Sequence, residues 1–329
     1  MNLLVLGGTV FLGRYVVLAA ESAGHNVTMF NRGQTAPDLF PHIERLHGDR
    51  DGDLDALLGR SWDAVIDTSS YLPRVVRQSA EVLRDVVGHY TFISSISTYA
   101  SFTGSGINEE EPVGSLEDDT VEEISGDTYG PLKALCESTL RSVFPDRLLV
   151  IRPGLIVGPH DPTDRFAYWP HRIDRGGQVI VPGRSDAPLQ FIDVRDVAEW
   201  IVAMVAQDVK GVYNATGPQN PLQMGEFIET CRAACSNDAE LIWMDDDYLA
   251  AHEVAPFVEL PLWLPTSADH RGFFDIDCSL AIRDGLTFRP LLDTVEATLE
   301  WDRERPHHTT FKSTLSTTKE KALVDAWKG

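Results

Sequence analysis

The sequence is poor in cysteine, in positive charge and in long apolar runs, and each shortage excludes a class of protein. Four cysteines in 329 residues are too few for a disulfide scaffold and are typical of a reducing compartment. Cys231 and Cys235 lie one helical turn apart, but no further Cys or His stands at zinc-binding spacing. No apolar stretch approaches the roughly 20 residues of a membrane span. We therefore expect no metal, no membrane partner and a cytoplasmic location.

Basic residues are outnumbered by acidic ones, 28 against 50, which gives a formal net charge of −22. Such a surface repels phosphate backbones, so a small-molecule substrate is a more natural partner than a nucleic acid. Hydrophobic residues make up 43% of the chain. This length and composition suffice for one large domain, or for a core domain with a smaller lobe.

The chain begins with a short apolar run and a glycine turn. Leu3 to Leu6 predict a strand that is buried on both faces. Glycines follow, and a helical pattern begins near Phe11, an arrangement that aims backbone N–H groups and a helix dipole at a diphosphate. Val10 replaces the middle glycine of the usual pattern, and an ordinary strand-to-helix turn is the alternative. The predicted dinucleotide-binding turn comprises Gly7, Gly8, Thr9, Val10, Phe11, Leu12 and Gly13.

Strands and helices alternate through the first half of the chain. Further strands are predicted over 25–30, 43–47, 63–67, 89–94, 147–151 and 211–215, with helices over 73–87 and 128–143. This alternation predicts an α/β fold, a doubly wound parallel sheet of the Rossmann type with a smaller C-terminal substrate lobe.

Composition also predicts the division of the chain. We expect 1–152 plus 189–216 to form the dinucleotide-binding domain, and 153–188 plus 217–329 to form the substrate lobe. Residues 101–127 are rich in glycine and acidic side chains, so we expect a mobile surface loop there, and a flap over the active site is a further possibility.

Tyr129 and Lys133 lie four residues apart in a segment with helical spacing, so they share one helix face. An ammonium beside a phenol stabilises the phenolate and lowers its pKa from about 10, which makes the tyrosine an acid or base for a carbonyl or alcohol. A core tyrosine and a solvated lysine are the structural alternative. Serines at 94, 95 and 97 follow the fifth strand, where a hydroxyl can bond a substrate oxygen or only local backbone.

In this order, the glycine turn, Ser95 and the Tyr129–Lys133 pair resemble those of the short-chain dehydrogenases/reductases. The closer similarity is to the NAD-dependent epimerase/dehydratase branch, and within it to an atypical subgroup with a Gly-Gly-Thr-x-Phe-x-Gly turn. That subgroup includes poorly characterised bacterial reductases and is similar to the chloroplast stem-loop RNA-binding proteins. The resemblance continues through three later motifs, at 152–159, 190–198 and 214–217, and so covers nearly the whole chain.

The resemblance implies roles for individual residues. Ser95 would be the catalytic serine, because it lies four residues before Tyr99 as the family serine does before its tyrosine. Tyr129 would be the acid/base, and Lys133 would tune it and hold the nicotinamide ribose. The turn of Pro153, Gly154, Leu155 and Ile156 would border the nicotinamide.

The end of the second strand bears on the choice of cofactor. Folds selective for NAD usually place Asp or Glu there, bonded to the ribose 2′-OH. This chain has Asn31 and Arg32 instead, and the arginine could bind a 2′-phosphate. We therefore predict NADP(H), with NAD possible and a solvent-facing arginine as the alternative. Other expected cofactor contacts are Asp49 (or a helix cap), Arg50, Thr68, Ser69, Ser70 and Ser94.

Four residues are predicted to contact substrate, although lobe core is the alternative for the aromatic ones. They are Arg165, Trp169, Gln190 and Trp263.

Three classes of function compete. The first prediction is an NADP(H)-dependent oxidoreductase that acts on a small carbonyl or alcohol. The second is an NAD-dependent sugar epimerase. Two features of the family are missing here. One is the dehydratase pattern around the serine, and the other is the asparagine that nucleotide-sugar enzymes of the family carry after the sixth strand. The third is a non-catalytic binder of nucleotides or RNA, which the acidic charge opposes. A homodimer through the helices at 73–87 and 128–143 is implied by the resemblance.

Overall fold

The computed structural model describes residues 1–235, 237–266, 268–306, 311–312 and 314–328. Its strands are β1 (Asn2–Leu6), β2 (Asn26–Asn31), β3 (Glu44–His47), β4 (Trp62–Asp67), β5 (Val87–Ile93), β6 (Leu148–Pro153), β7 (Ile156–Val157), β8 (Gln178–Pro182), β9 (Pro188–Leu189), β10 (Ile192–Asp193), β11 (Gly211–Ala215), β12 (Leu222–Gln223) and β13 (Glu240–Met244).

Its α-helices are α1 (Phe11–Ser22), α2 (Pro73–Leu83), α3 (Tyr129–Val143), α4 (Tyr168–Asp174), α5 (Val194–Ala206), α6 (Met224–Ala234), α7 (Asp246–Ala251), α8 (Ser279–Arg283), α9 (Leu291–Glu304) and α10 (Thr317–Lys328). Short 3-10 helices cover Asp55–Leu57, Ile96–Thr98 and Ala268–His270. Among the described residues, none of these helices has both the length and the apolar character needed to cross a membrane.

A seven-stranded parallel sheet, in the order β3-β2-β1-β4-β5-β6-β11, confirms the predicted fold class. The strand order reverses between β1 and β4, which is the switch point of a doubly wound sheet. Helices α1 and α5 pack together, as do α2 and α3. The inner strands are apolar because helices cover them; the side chains of Leu3 to Leu6 have no exposed area. The predicted helix over 73–87 ends at Leu83, because Val87 already begins β5.

The chain divides into two compact units, which we call the sheet unit and the lobe unit. The sheet unit comprises 1–154, 194–216 and 276–287, and the lobe unit comprises 155–193, 217–275 and 288–329. Segment 276–287 was expected in the lobe but lies in the sheet unit. There Asp277 N donates to Ile107 O, and Tyr213 Oη donates to Asp284. The sequence carries no local signal for these contacts between distant segments.

The lobe unit has its own core and three two-stranded sheets, which pair β10 with β7, β12 with β9 and β13 with β8. Helices α4, α6 and α9 pack against one another around buried aromatic side chains. Phe227 contacts both Phe166 and Phe191, with ring centroids 5.1 and 5.6 Å apart.

The acidic loop over 101–127 contains no helix or strand in the structure, as predicted. It is nevertheless fastened to the end of β11. Asn214 Nδ2 donates to Ile107 O at 3.3 Å, and the Glu109 carboxylate accepts from Asn214 N at 2.7 Å. Burial raises the pKa of the Glu109 carboxyl. These bonds attach residues 107–109 to the end of β11, and the mobility of the loop stays a prediction.

Candidate active site and dinucleotide cradle

The turn between β1 and α1 has the backbone that its glycines predict. Gly7 and Gly8 have φ angles of +107° and +91°, in the region that favours glycine. A Cβ on Gly7 would lie 2.7 Å from Thr68 Oγ1, and one on Gly13 would lie 2.9 Å from Gly8 N. Strand, turn and helix therefore approach one another too closely for side chains at these positions.

Val10 occupies the middle position of the turn without strain. Its φ of −119° is extended backbone that any residue adopts, and its side chain is 49% exposed. Helix α1, which begins at the next residue, has no side-chain cap and no acidic residue in its first turn. Its first backbone N–H groups are thus available to an anion. The side chain of Leu12 is buried in the core, so this residue could face a ligand only through its backbone.

A cavity of about 270 Å³ adjoins this turn. It is walled by the turn itself, the end of β2 and the loops that follow β3 and β4. Predicted cofactor residues in its lining are Gly7, Thr9, Val10, Asn31, Arg32, Asp49, Arg50 and Ser69. The uncapped helix, the crowded glycines and this cavity fit a dinucleotide diphosphate and its adenosine. We call Gly7, Gly8, Val10, Gly13 and Arg32 the dinucleotide cradle.

Several predicted cofactor side chains are occupied in holding the cradle together. Asn31 Nδ2 donates to Gly7 O at 2.8 Å, which fastens the end of β2 to the turn. The hydroxyls of Thr68 and Ser69 donate to Leu6 O at 3.0 and 3.2 Å. Asp49 accepts from Asp51 N at 3.0 Å, a turn bond rather than a helix cap.

The side chains of Arg50 and Ser70 point into the protein. This burial corrects the predicted cofactor contact of Ser70, whereas Arg50 still lines the cavity and its contact stays a prediction. The Arg50 guanidinium binds both oxygens of Asp67, at 2.6 and 2.9 Å, and donates to Ser79 Oγ at 2.6 Å. Ser70 Oγ donates to the same carboxylate at 2.5 Å, and so does Tyr90 Oη at 2.7 Å. Burial opposes ionisation of Asp67, yet Arg50 and these hydrogen bonds keep the pKa of its carboxyl below the usual range. This buried group fixes the loop after β4.

The N-terminus of α3 lies directly on the turn that contains the candidate serine. A Cβ on Gly130 would overlap the carbonyl oxygen of Ser97, so only glycine allows this approach. Ser95 caps the 3-10 helix of that turn, where its Oγ accepts from Ser97 N at 3.1 Å. Within the described chain no acceptor takes the Ser95 hydroxyl hydrogen, which leaves it for a ligand. The structure thus brings the start of α3, with Tyr129, to the serine turn.

Tyr129, Lys133 and Glu137 follow one another at intervals of four on α3 and share a face. Lys133 Nζ donates to Ser70 O at 2.8 Å and to Ile93 O at 2.6 Å, so the ammonium links the ends of β4 and β5. The side chain is 3% exposed. Burial lowers its pKa to about 8, so the amine keeps its proton at neutral pH. We call Ser95, Tyr129, Lys133 and Glu137 the reactive edge.

Glu137 organises a second buried group, which corrects the prediction that Ser94 contacts the cofactor. Ser94 Oγ donates to Glu137 Oε1 at 2.6 Å. Arg152 binds the same carboxylate through two nitrogens, at 3.0 and 2.7 Å. The Arg152 guanidinium lies 5.0 Å from the ring centroid of Tyr99, whose hydroxyl donates to Asn214. The Ser94 hydroxyl therefore has a structural partner.

The sequence analysis gave no role to Gly130, Glu137 or Arg152. Two signals could have found the ion pair. An acidic side chain continues the spacing of Tyr129 and Lys133, and an arginine closes the apolar run of β6. Only tertiary structure shows that these charges meet.

The predicted turn beside the nicotinamide is shared between the units. Pro153 and Gly154 belong to the sheet unit, and Leu155 and Ile156 to the lobe unit. Gly154 N donates to Ala215 O at 3.1 Å, and a Cβ here would overlap the Thr216 side chain.

Trp169 is a core residue of the lobe unit, which corrects its prediction as a substrate contact. Its side chain has no exposed area, and its indole donates to Pro261 O at 2.8 Å. Aromatic side chains are ambiguous in sequence, because core and pocket walls use the same types. The guanidinium of Arg165 lies 5.9 Å from the ring centroid of Phe257, and Gln190 is half-buried.

Trp263 lines a cavity of about 310 Å³ within the lobe unit, where its indole donates to Asp246 at 2.9 Å. The walls are mainly apolar, but His270 and Arg271 also line the cavity, and the described lining contains no carboxylate. Such a mainly apolar cavity with a few polar groups suits a small organic molecule. No group of three or more His, Cys, Asp or Glu side chains in the described chain could hold a metal ion.

Comparison with known proteins agrees with this geometry. The family model described as "NAD dependent epimerase/dehydratase family" matches residues 3–216. One relative is the chloroplast stem-loop binding protein of 41 kDa b from Arabidopsis thaliana, 26% identical over 236 residues. The match covers 66% of this chain and 58% of that protein, so this chain spans less than two thirds of the relative's length.

Solved structures show the same fold. UDP-N-acetylglucosamine 4-epimerase from Bacillus cereus is 18% identical, with a TM-score of 0.68 over 94% of this chain and 99% of that chain. UDP-glucuronic acid 4-epimerase from Bacillus cereus in complex with NAD is 16% identical, with a TM-score of 0.67 over 92% and 97%. At these identities the likeness establishes the fold alone.

Proposed function

We propose, from the premise that the chain belongs to the NAD-dependent epimerase/dehydratase family, that it is a nicotinamide-dependent epimerase of a sugar or sugar-like alcohol. One observation carries the proposal: Tyr129 and a buried Lys133 share the face of a helix that starts on the Ser95 turn. Similar folds in UDP-sugar 4-epimerases support epimerisation over net reduction, the first prediction from sequence.

The residues of the reactive edge would transfer one proton between Tyr129 and the substrate oxygen. Tyr129 would accept the proton of the hydroxyl group on the substrate carbon that is oxidised, and it would return this proton to the oxygen when the carbon is reduced. Ser95 would donate a hydrogen bond to the same oxygen, and the Lys133 ammonium would stabilise the phenolate. When bound, the dinucleotide supplies the acceptor and donor of a hydride. Return of the hydride to the opposite face of the carbon inverts the centre with no net redox change.

The residue after β6 bears on the class of sugar. The family's nucleotide-sugar asparagine is absent after β6, where this chain has Gly154. We therefore propose a sugar or sugar-like alcohol without commitment to a nucleotide.

Net reduction by NADPH is a second candidate, and Arg32 favours it. This arginine is exposed in the cradle lining, and β2 ends without a carboxylate. A 2′-phosphate would find a cation there, and NADP(H) serves net reductions more often than closed epimerisation cycles.

The test is an assay of the purified chain on phosphorylated and nucleotide-linked sugars deuterated at the reacting carbon. An epimerase keeps the deuterium and consumes no cofactor, whereas an oxidoreductase transfers the deuterium to NADP, and consumes NADPH when the matching keto sugar is supplied. Tyr129→Phe should lower kcat by about 10²–10⁴-fold with nearly unchanged dinucleotide affinity. Tyr213→Phe is the matched control, because its phenol bonds Asp284 away from the reactive edge. Equal turnover by Tyr129→Phe and wild type would refute the proposal.

A separate measurement addresses RNA, since the Arabidopsis relative is named for stem-loop binding. The net charge of −22 opposes a salt-sensitive RNA complex. Tight, salt-dependent binding of a stem-loop RNA, together with no turnover on any substrate, would favour a binding protein instead.

A further inference from the structure

Tyr71 is a large aromatic residue that the proposed chemistry leaves without a role. It lies in the loop between β4 and α2, immediately after Ser70, whose carbonyl accepts from Lys133. Its ring centroid is 6.2 Å from that of Tyr129, with the planes inclined by 43°. The Lys133 ammonium lies 5.5 Å from the same ring. Tyr71 therefore contacts both members of the reactive pair.

The surroundings of Lys133 show what Tyr71 contributes. The ammonium lies 4.3 Å from the ring centroid of Phe92, a residue with no exposed area. Two carbonyl oxygens bond it from the ends of β4 and β5. Tyr71 is 47% exposed, whereas Lys133 is 3% exposed. Compared with the buried Phe92 ring, the Tyr71 ring is the one that is also exposed to solvent.

We propose that Tyr71 is a positioning residue of the reactive edge, whose ring orients Tyr129 and excludes water from the Lys133 ammonium. Its importance for turnover rests on the proposed function, because it acts through Tyr129 and Lys133. Its effect on the lysine itself does not, since that effect is a property of the unliganded chain.

The sign of the effect follows from the groups around the amine. Charged or titratable neighbours on β4, after β3 and on α3 itself are Asp67, Arg50, Cys136, Glu137 and Tyr129. Burial is the largest cause of the lowered lysine pKa of about 8. Loss of the Tyr71 ring would admit water and raise this pKa toward 10.5. Loss of the cation–π contact acts in the opposite direction, but the nearer Phe92 ring remains.

The experiment is a pH titration by NMR of the full chain labelled with [ε-¹³C]lysine, without added dinucleotide. Lys133→Met identifies the Lys133 resonance. Wild type should titrate near pH 8, and Tyr71→Phe, which keeps the ring, should do the same. Tyr71→Ala should titrate at least about one pH unit higher, as expected when a buried cation regains water. Equal pKa values in wild type and Tyr71→Ala would overturn the proposal.

Tyr71→Leu is a further variant, which keeps part of the apolar cover over Lys133. Its lysine pKa should fall between those of Tyr71→Phe and Tyr71→Ala. Circular dichroism establishes that each variant is folded, and the lysine titration is read on the folded ones. On a turned-over substrate, the alkaline limit of activity should move upward in Tyr71→Ala, because the amine stays charged to higher pH. A shifted lysine pKa combined with full activity of Tyr129→Phe would refute the proposed function and leave the role of Tyr71 at the lysine intact.

Discussion

The dinucleotide cradle and the reactive edge lie at the same end of the sheet, but different forces build them. The cradle is made of backbone: positive φ angles at Gly7 and Gly8, and a Gly13 that has no room for a Cβ. Its charged side chain, Arg32, is exposed. The reactive edge is made of buried charge, with Lys133 bonded to two carbonyls and Glu137 bonded to Arg152.

This difference indicates what each region tolerates. A cradle of backbone accepts new side chains wherever φ is ordinary, as Val10 shows, and rejects any Cβ that meets the turn. An edge of buried charge accepts changes of shape better than changes of charge, because an unpaired buried ion is costly. A substitution that adds a Cβ to the turn should therefore disrupt the cradle and spare the reactive edge. A substitution that removes one buried charge should do the reverse.

The largest expected effect on stability comes from loss of one charge at the reactive edge. Glu137 and Arg152 are each 6% exposed at the side chain. Glu137→Gln would leave the guanidinium buried without a counter-charge, and removal of one partner of such a pair costs about 3–5 kcal/mol. Urea unfolding of the variant measures this free energy directly.

The control for that variant removes both charges together. Glu137→Leu combined with Arg152→Met leaves no uncompensated ion, and paired replacement of this kind is often close to neutral. The double variant should therefore be more stable than Glu137→Gln. Exposed ion pairs contribute less than about 1 kcal/mol. If Glu137→Gln lowered the free energy of unfolding by no more than this, the buried ion pair would not be what stabilises the reactive edge.

The same contrast explains which features could be predicted from the sequence. The strands of the sheet, the glycine turn and the start of α3 have local signals: apolar runs, glycine and helical spacing. The partners of Arg50 and Glu137 depend on how distant strand ends meet, which no local pattern encodes. For Trp169 the sequence left pocket and core open, and the structure resolves it as core because neighbouring segments enclose it.

A matched pair of substitutions tests the cradle. Gly13→Ala places a Cβ 2.9 Å from Gly8 N, a backbone atom that cannot move freely. Overpacking of this kind costs about 1–3 kcal/mol, so the dinucleotide dissociation constant should rise about tenfold to a hundredfold. Val10→Ala, at an exposed position with extended backbone, should bind within about threefold of wild type. Isothermal titration calorimetry with NAD and NADP measures both, and equal losses in the two variants would contradict a cradle built on backbone shape.

The smallest effect concerns the one charged side chain in our definition of the cradle. If Arg32 binds a 2′-phosphate, Arg32→Gln should weaken NADP by about tenfold, since a charge-assisted hydrogen bond contributes about 1.5–3 kcal/mol and exposure reduces it. NAD lacks that phosphate, so its affinity should not change. Arg60→Gln removes another exposed charge, one that pairs with Glu44 outside the cavity lining, and it should leave the NADP-to-NAD ratio unchanged. The Arg32 effect should shrink as salt rises, because exposed charges are screened. An equal loss of affinity for NAD and NADP would mean that Arg32 shapes the cradle without binding the 2′-phosphate. The choice between NAD and NADP would then depend on the backbone of the cradle alone.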